Sequence, residues 1–208
     1  LNSLKRIEQS YDYMMNGINE AFDEDLIILN DNDEIPNLES EQFKSSNKKI
    51  IIFKQLFCYY KFNLLYDLLP WYGSRACKKK YLKSFSWLKN LKNRKYPFWR
   101  IDTLLSNYKE INLEIINDGG WHFTNVKTPE ELFVKLSNFG HHNEFELSNT
   151  SIDDLKNQIA NKIVNYDHLA DKSSKNKYEF NYKLKNLDMN LLPKYLQLNK
   201  MKYENWFD

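Results

Sequence analysis

Apolar residues at positions 4, 7, 11, 14, 15 and 18 recur at spacings of three, four and one, which predicts an amphipathic helix over residues 3–20. The run Leu26-Ile27-Ile28-Leu29 is short and β-branched, as expected of a buried strand, and it ends abruptly in Asn30-Asp31-Asn32-Asp33-Glu34. Pro36 is expected to block continuation of that strand. A short helix fits residues 38–45. Two apolar groups, Ile50–Phe53 and Leu56–Tyr60, supply one or two strands. Residues 112–117 alternate like a strand, Asp118-Gly119-Gly120 punctuates, and Trp121-His122-Phe123 resumes. Thr128-Pro129-Glu130-Glu131 opens a helix to about Asn138, with Thr128 as cap and proline at the first position. A further helix is predicted from Ser151, again a cap, to Val164. The tail 190–208 carries a Leu-Leu-Pro turn and a last short helix.

The chain has 208 residues, room for one domain with a sizeable core, and a 15% aromatic share makes that core feasible despite the many Lys and Asn. A formal charge of +2 argues against a global nucleic-acid binder. The charge is uneven, however: residues 75–100 hold ten Lys or Arg and no acid. Cys58 and Cys77 could pair or stay free, but two cysteines do not make a disulfide framework. No apolar run approaches the roughly 20 residues that span a bilayer, and no signal peptide is visible. The chain opens on Leu1, directly in a helical pattern, so it is expected to start inside a domain whose earlier part is missing.

The acidic string after the first strand carries the sharpest candidate chemistry. Asp31 and Asp33, at i and i+2 just past a buried strand, can face one cavity at the carboxyl end of a sheet. Their hard oxygens suit Mg²⁺ or Mn²⁺, which would neutralise charge on a diphosphate leaving group. A solvated acidic turn is the bland alternative.

The whole string Asp31-Asn32-Asp33-Glu34-Ile35-Pro36 resembles the Asp-x-Asp-Glu-Ile-Pro motif of glycosyltransferase family 17, which includes the β-1,4-mannosyl-glycoprotein N-acetylglucosaminyltransferases. Further segments are similar, in order. Trp71-Tyr72-Gly73-Ser74-Arg75 resembles the family's Trp-x-Gly-x-Arg, and Gly120-Trp121-His122-Phe123-Thr124 its Gly-Trp-His-Phe-Ser. Residues 135–145 resemble its Lys-(apolar)-x-Ser-Phe-(small)-His-x-Glu region, with one extra residue, so that His141 and His142 compete for one position. Residues 192–199 resemble its closing Leu-Pro-x-Tyr-(apolar)-x-x-Asn.

The resemblance implies an α/β, GT-A-like fold with a mixed sheet over residues 1–208 as a single, N-terminally truncated catalytic domain. It implies a UDP-GlcNAc donor, a glycan acceptor, a divalent Mn²⁺ or Mg²⁺ and an inverting transfer. On that reading Asp33 is the principal metal ligand, Asp31 lies near the ribose or the metal's waters, and Glu34 supports them. Arg75, Trp121, His122 and His141 are candidates for the donor site. The general base that an inverting transfer needs is Glu144 first and Asp118 second. Lys135 is expected on a solvated helix face. Membrane association would come only through the missing N-terminal part, and the compartment stays open.

Two other classes compete. The basic stretch 75–100 interleaves Tyr81, Trp87 and Trp99, as a single-stranded nucleic-acid binder would. A phosphodiester-cleaving metalloenzyme could use the same carboxylates, but would need more acids or histidines around the metal.

Overall fold

The structure, a computed structural model, describes residues 2–138, 142–170 and 177–208. In chain order the elements begin with α1 (Asn2–Met14), β1 (Leu26–Leu29), β2 (Glu34–Pro36), α2 (Glu41–Ser45), β3 (Ile50–Tyr59) and β4 (Leu64–Leu65). Next come β5 (Trp71–Lys78), α3 (Phe85–Asn90), β6 (Leu113–Ile116), β7 (Gly120–Thr124) and α4 (Pro129–Asn138). The chain closes with α5 (His142–Leu147), α6 (Ile152–Asn161), β8 (Ile163–Val164), β9 (Tyr182–Lys183), β10 (Lys185–Asn186) and α7 (Lys194–Leu198). The class is α/β with a mixed sheet, as expected.

The chain divides into two compact units: Leu1–Leu56 with Pro70–His122, and Phe57–Leu69 with Phe123–Asp208. In the first, the strand order is β1-β5-β3-β6, with β3 and β6 parallel and the other pairs antiparallel. The near-continuous apolar run of β3 is explained by cover on both faces. Ile50 and Ile52 pack with Ile27, Leu29, Cys77 and Leu113 against Phe85 and Leu88 of α3, with Tyr11 of α1 and Met15, Ile18 and Ala21 beyond it at the margin. Ile51 and Phe53 point the other way, with Ala76, Ile116 and Phe43 of α2. The side chains of Leu4 and Ile7, part of the predicted apolar stripe, lie outside the described residues.

Two expectations about strands need correction. Glu34-Ile35-Pro36 is not turn alone: it forms β2, antiparallel to β7, with Glu34 opposite His122 and Pro36 opposite Gly120. Proline is tolerated because it ends the strand. The predicted helix from Ser151 to Val164 stops at Asn161, because Lys162 adopts a left-handed conformation (φ 57°) and its N–H caps the last turn. Residues 163–164 then pair as β8 with β9.

The second unit holds an aromatic core. Phe57, Tyr59, Tyr66 and Tyr166 all place rings within 6 Å of the His168 ring. Helix α4 starts at the predicted cap: Thr128 Oγ1 accepts from the Glu131 N–H, and Glu131 accepts from the Thr128 N–H. The reciprocal pair Ser151 and Asp154 does the same for α6. Cys58 and Cys77 are both free and buried.

Candidate functional site

The turn after β1 closes when the Glu34 N–H donates to the Asp31 carbonyl at 3.1 Å. The Glu34 side chain folds back beneath it, and one carboxylate oxygen accepts from the Asp31 N–H at 3.1 Å. That carboxylate is fully buried. Burying it unpaired would be prohibitive, so donors must surround it. Trp71 Nε1 donates at 3.0 Å, Ser74 Oγ at 3.4 Å, and Lys89 Nζ stands 3.9 Å away. Gly73 packs closely beside it: a Cβ there would lie 2.8 Å from the Glu34 carboxyl carbon and 1.9 Å from Gln55 Oε1, so those side chains would have to shift.

The two aspartates take different partners. Asp31 accepts from Lys89 Nζ at 2.8 Å. Burial works to lower the Lys89 pKa, but the Glu34 and Asp31 carboxylates outweigh it and hold the ammonium above its ordinary value. Asp33 lies 3.4 Å from His122 Nε2, with about a quarter of its side chain (26%) open to solvent. The His122 ring stacks on Trp71 at 4.1 Å and 22°. Trp71 therefore faces His122 with its ring and Glu34 with its N–H.

The β2–β7 register makes this convergence possible. Gly120 has φ +106°, and a Cβ there would come within 2.1 Å of the Ile35 carbonyl, so only glycine lets the two strands close. Trp121 is half-buried opposite Ile35. Asp118, in the exposed turn just before β7, accepts from Asn37 Nδ2 at 2.9 Å.

Arg75 is placed differently from the expected diphosphate contact. Its guanidinium is buried and donates to the Leu88 and Leu91 carbonyls at 2.9 and 2.7 Å and to Asn93 Oδ1 at 2.7 Å. Burial pushes its pKa down to about 10, against the pull of Glu34 and Tyr11. With those donors committed to the end of α3, it is a structural clamp rather than an anion contact.

Glu144 belongs to the second unit, where it accepts from the buried Lys177 at 2.8 Å; that hydrogen bond raises the lysine pKa. Lys135 is half-buried rather than solvated and donates to Asn125 Oδ1 at 2.8 Å. His141 lies outside the described residues. The second unit also carries a cleft of about 430 Å³ whose lining includes Asn149, Asn157, Gln158, Asn165 and Tyr178. Amides and a phenol are the groups that recognise neutral hydroxylated ligands. Sequence reasoning missed this cleft, and missed Lys89 and Ser74 as partners of the acidic turn.

Among the described residues no three His, Cys, Asp or Glu side chains gather as a metal-ligand set. Asp33, beside His122 and about a quarter open to solvent, offers the kind of carboxylate oxygen that a hard cation takes. No family model matches the chain, and neither the curated proteins nor the solved structures give a significant match.

Proposed function

We propose that the chain is a metal-dependent inverting glycosyltransferase resembling family 17, with a GT-A-like arrangement, that transfers N-acetylglucosamine from UDP-GlcNAc to a glycan. One observation carries this reading. Three segments that resemble the family lie far apart in sequence, at 31–36, 71–75 and 120–124, and they meet around one buried carboxylate through the Glu34–Trp71, Trp71–His122 and His122–Asp33 contacts. Residues brought together this way act as a unit, whereas a solvated acidic turn has no use for a buried glutamate and a stacked histidine.

On this reading Asp33 would hold Mn²⁺ or Mg²⁺ together with the donor's own phosphate oxygens, which accounts for a single protein carboxylate sufficing. Such a cation, when bound, neutralises charge on the departing diphosphate. The chain's own groups do the rest. His122 orients the Asp33 carboxylate, Trp71 fixes the His122 ring, and Glu34 holds the turn rigid from below. Asp118 or Glu144 takes the proton from the attacking hydroxyl. The amide-lined cleft of the second unit, taken by itself, has the chemistry to hold a neutral sugar.

The nucleic-acid alternative loses support because half of its ten cations are already engaged or buried. Lys78 and Lys80 pair with Glu24, Lys89 with Asp31, Arg100 with Asp102, and Arg75 is buried. Trp87 is buried too, with its N–H on the Asn107 carbonyl at 2.8 Å.

The test is calorimetric titration of UDP and UDP-GlcNAc with Mn²⁺ present. Wild type is expected to bind, and Asp33→Ala to lose binding. Equal affinity in the two proteins would remove the site.

A further inference from the structure

The segment following α3 reverses the usual arrangement of a surface loop. Five large apolar side chains face outward within eight residues: Phe98 (82% exposed), Trp99 (69%), Ile101 (74%), Leu104 (80%) and Leu105 (87%). Its polar groups are instead tied to one another. Asp102 accepts from Arg100 Nε at 2.6 Å and from Lys109 at 2.5 Å, and both cations also sit within 6 Å of the Tyr96 ring. Thr103 turns inward, with its hydroxyl on the Arg100 carbonyl.

The loop is held in this form. The Lys92 N–H donates to the Tyr108 carbonyl at 2.8 Å, which closes its base, and the Trp87 indole N–H holds Asn107. A short 3₁₀ turn, Ile101–Thr103, braces its tip. An apolar patch that is fixed in place and left uncovered marks an interaction surface.

The charge around the patch says what covers it. Lys92, Arg94 and Lys95 are exposed just before it, and among the described residues no ion pair engages Lys92 or Arg94. Nearby, Asp102 is neutralised by its two cations, and Glu110 is half-buried and accepts from the Asn112 N–H. Aliphatic residues and a tryptophan beside the exposed cations Lys92 and Arg94, with Lys95 facing the Glu114 carboxylate, fit an anionic lipid surface, where the side chains enter the acyl boundary and the cations meet headgroups. Ile101, Leu104 and Leu105 have no ring to stack on a base, which disfavours a nucleic acid. A second copy docked on the same patch would bring like charges together.

We propose that residues 92–105 dock this protein on an anionic membrane surface, with Phe98, Trp99, Ile101, Leu104 and Leu105 inserted and Lys92, Arg94 and Lys95 on the headgroups. This stands independently of the glycosyltransferase reading.

Flotation with phosphatidylcholine vesicles, with and without phosphatidylglycerol, tests it. Wild type is expected to float with the anionic vesicles, less so as salt rises and little with phosphatidylcholine alone. The double variant Leu104→Glu/Leu105→Glu, both positions exposed, should lose about tenfold or more in affinity while keeping its circular dichroism spectrum. A readout on otherwise native protein is quenching of tryptophan emission by lipids brominated on the acyl chain, which Trp99→Phe should remove. Failure of wild type to float overturns the proposal, as does undiminished quenching in Trp99→Phe. So does a concentration-dependent dimer that the double variant dissolves, or retention on single-stranded DNA without any vesicle binding.

Discussion

Replacing Glu34 by glutamine changes one oxygen for an NH₂ at the point where the three motif segments meet. One carboxylate oxygen faces Trp71 Nε1 and the other faces the Asp31 N–H and Ser74 Oγ. Either orientation of the amide sets an NH₂ against an N–H that needs an acceptor. One hydrogen bond to a charged group is lost, about 1.5–3 kcal/mol, and a buried donor is left unsatisfied. Lys89 also loses one of its two carboxylates. The expected total is about 3 kcal/mol, a drop of about 6–12 °C in Tm for a chain this long. Urea and thermal unfolding would be followed by tryptophan fluorescence, to which Trp71 contributes through its stack on His122. Glu34→Asp, which keeps the charge but shortens the reach, should fall between. A Glu34→Gln protein within about 0.5 kcal/mol of wild type, the range of ordinary surface changes, would refute the view that this carboxylate organises the site.

Arg75→Lys should cost about 2–4 kcal/mol, because one ammonium cannot replace a planar fork serving two carbonyls and Asn93; a chemical-denaturation midpoint equal to wild type would contradict the clamp. Burial pushes the thiols of Cys58 and Cys77 up to about 12 and about 11, so a thiol reagent at mildly alkaline pH should label them only on unfolding. The unfolded thiols ionise near about 8.5, so their contribution to stability is complete below that and is lost as pH rises toward 11–12, where the native state still holds protons the unfolded chain has released. A stability curve flat from neutrality to pH 11 would oppose this. On the proposed glycosyltransferase reading, Glu144→Gln and Asp118→Asn should both keep donor binding, and the one that removes the base should slow transfer by about 10²–10⁴; full turnover in both would eliminate the two candidates.

What could be read in the sequence was local. Leu26–Leu29 and Ile50–Phe53 announce strands by β-branching, and Thr128 and Ser151 announce helix starts because a cap is a contact three residues long. The missed β2 depends on a partner some 86 positions away: Glu34-Ile35-Pro36 looks like a turn until Gly120 and His122 lie beside it. Arg75 was visible as a motif residue, but its role was not, because its main acceptors are backbone carbonyls that carry no residue identity. The basic run misled for a related reason: the acids that engage it, Glu24, Asp31 and Asp102, all lie outside residues 75–100. At the acidic turn, the sequence pointed to Asp31 and Asp33 as a pair, whereas one faces a lysine and the other a histidine.

The Arg75 clamp also has a mechanical consequence. Helix α3 has only six residues, too few to persist unaided, and its terminal carbonyls are tethered to β5 by one guanidinium. Lys89 rides on that tethered turn and reaches Asp31 from it. The arginine thus governs the acidic turn at second hand: loosening its grip would let the lysine drift, so a change at Asn93 would register at Asp31 without touching it.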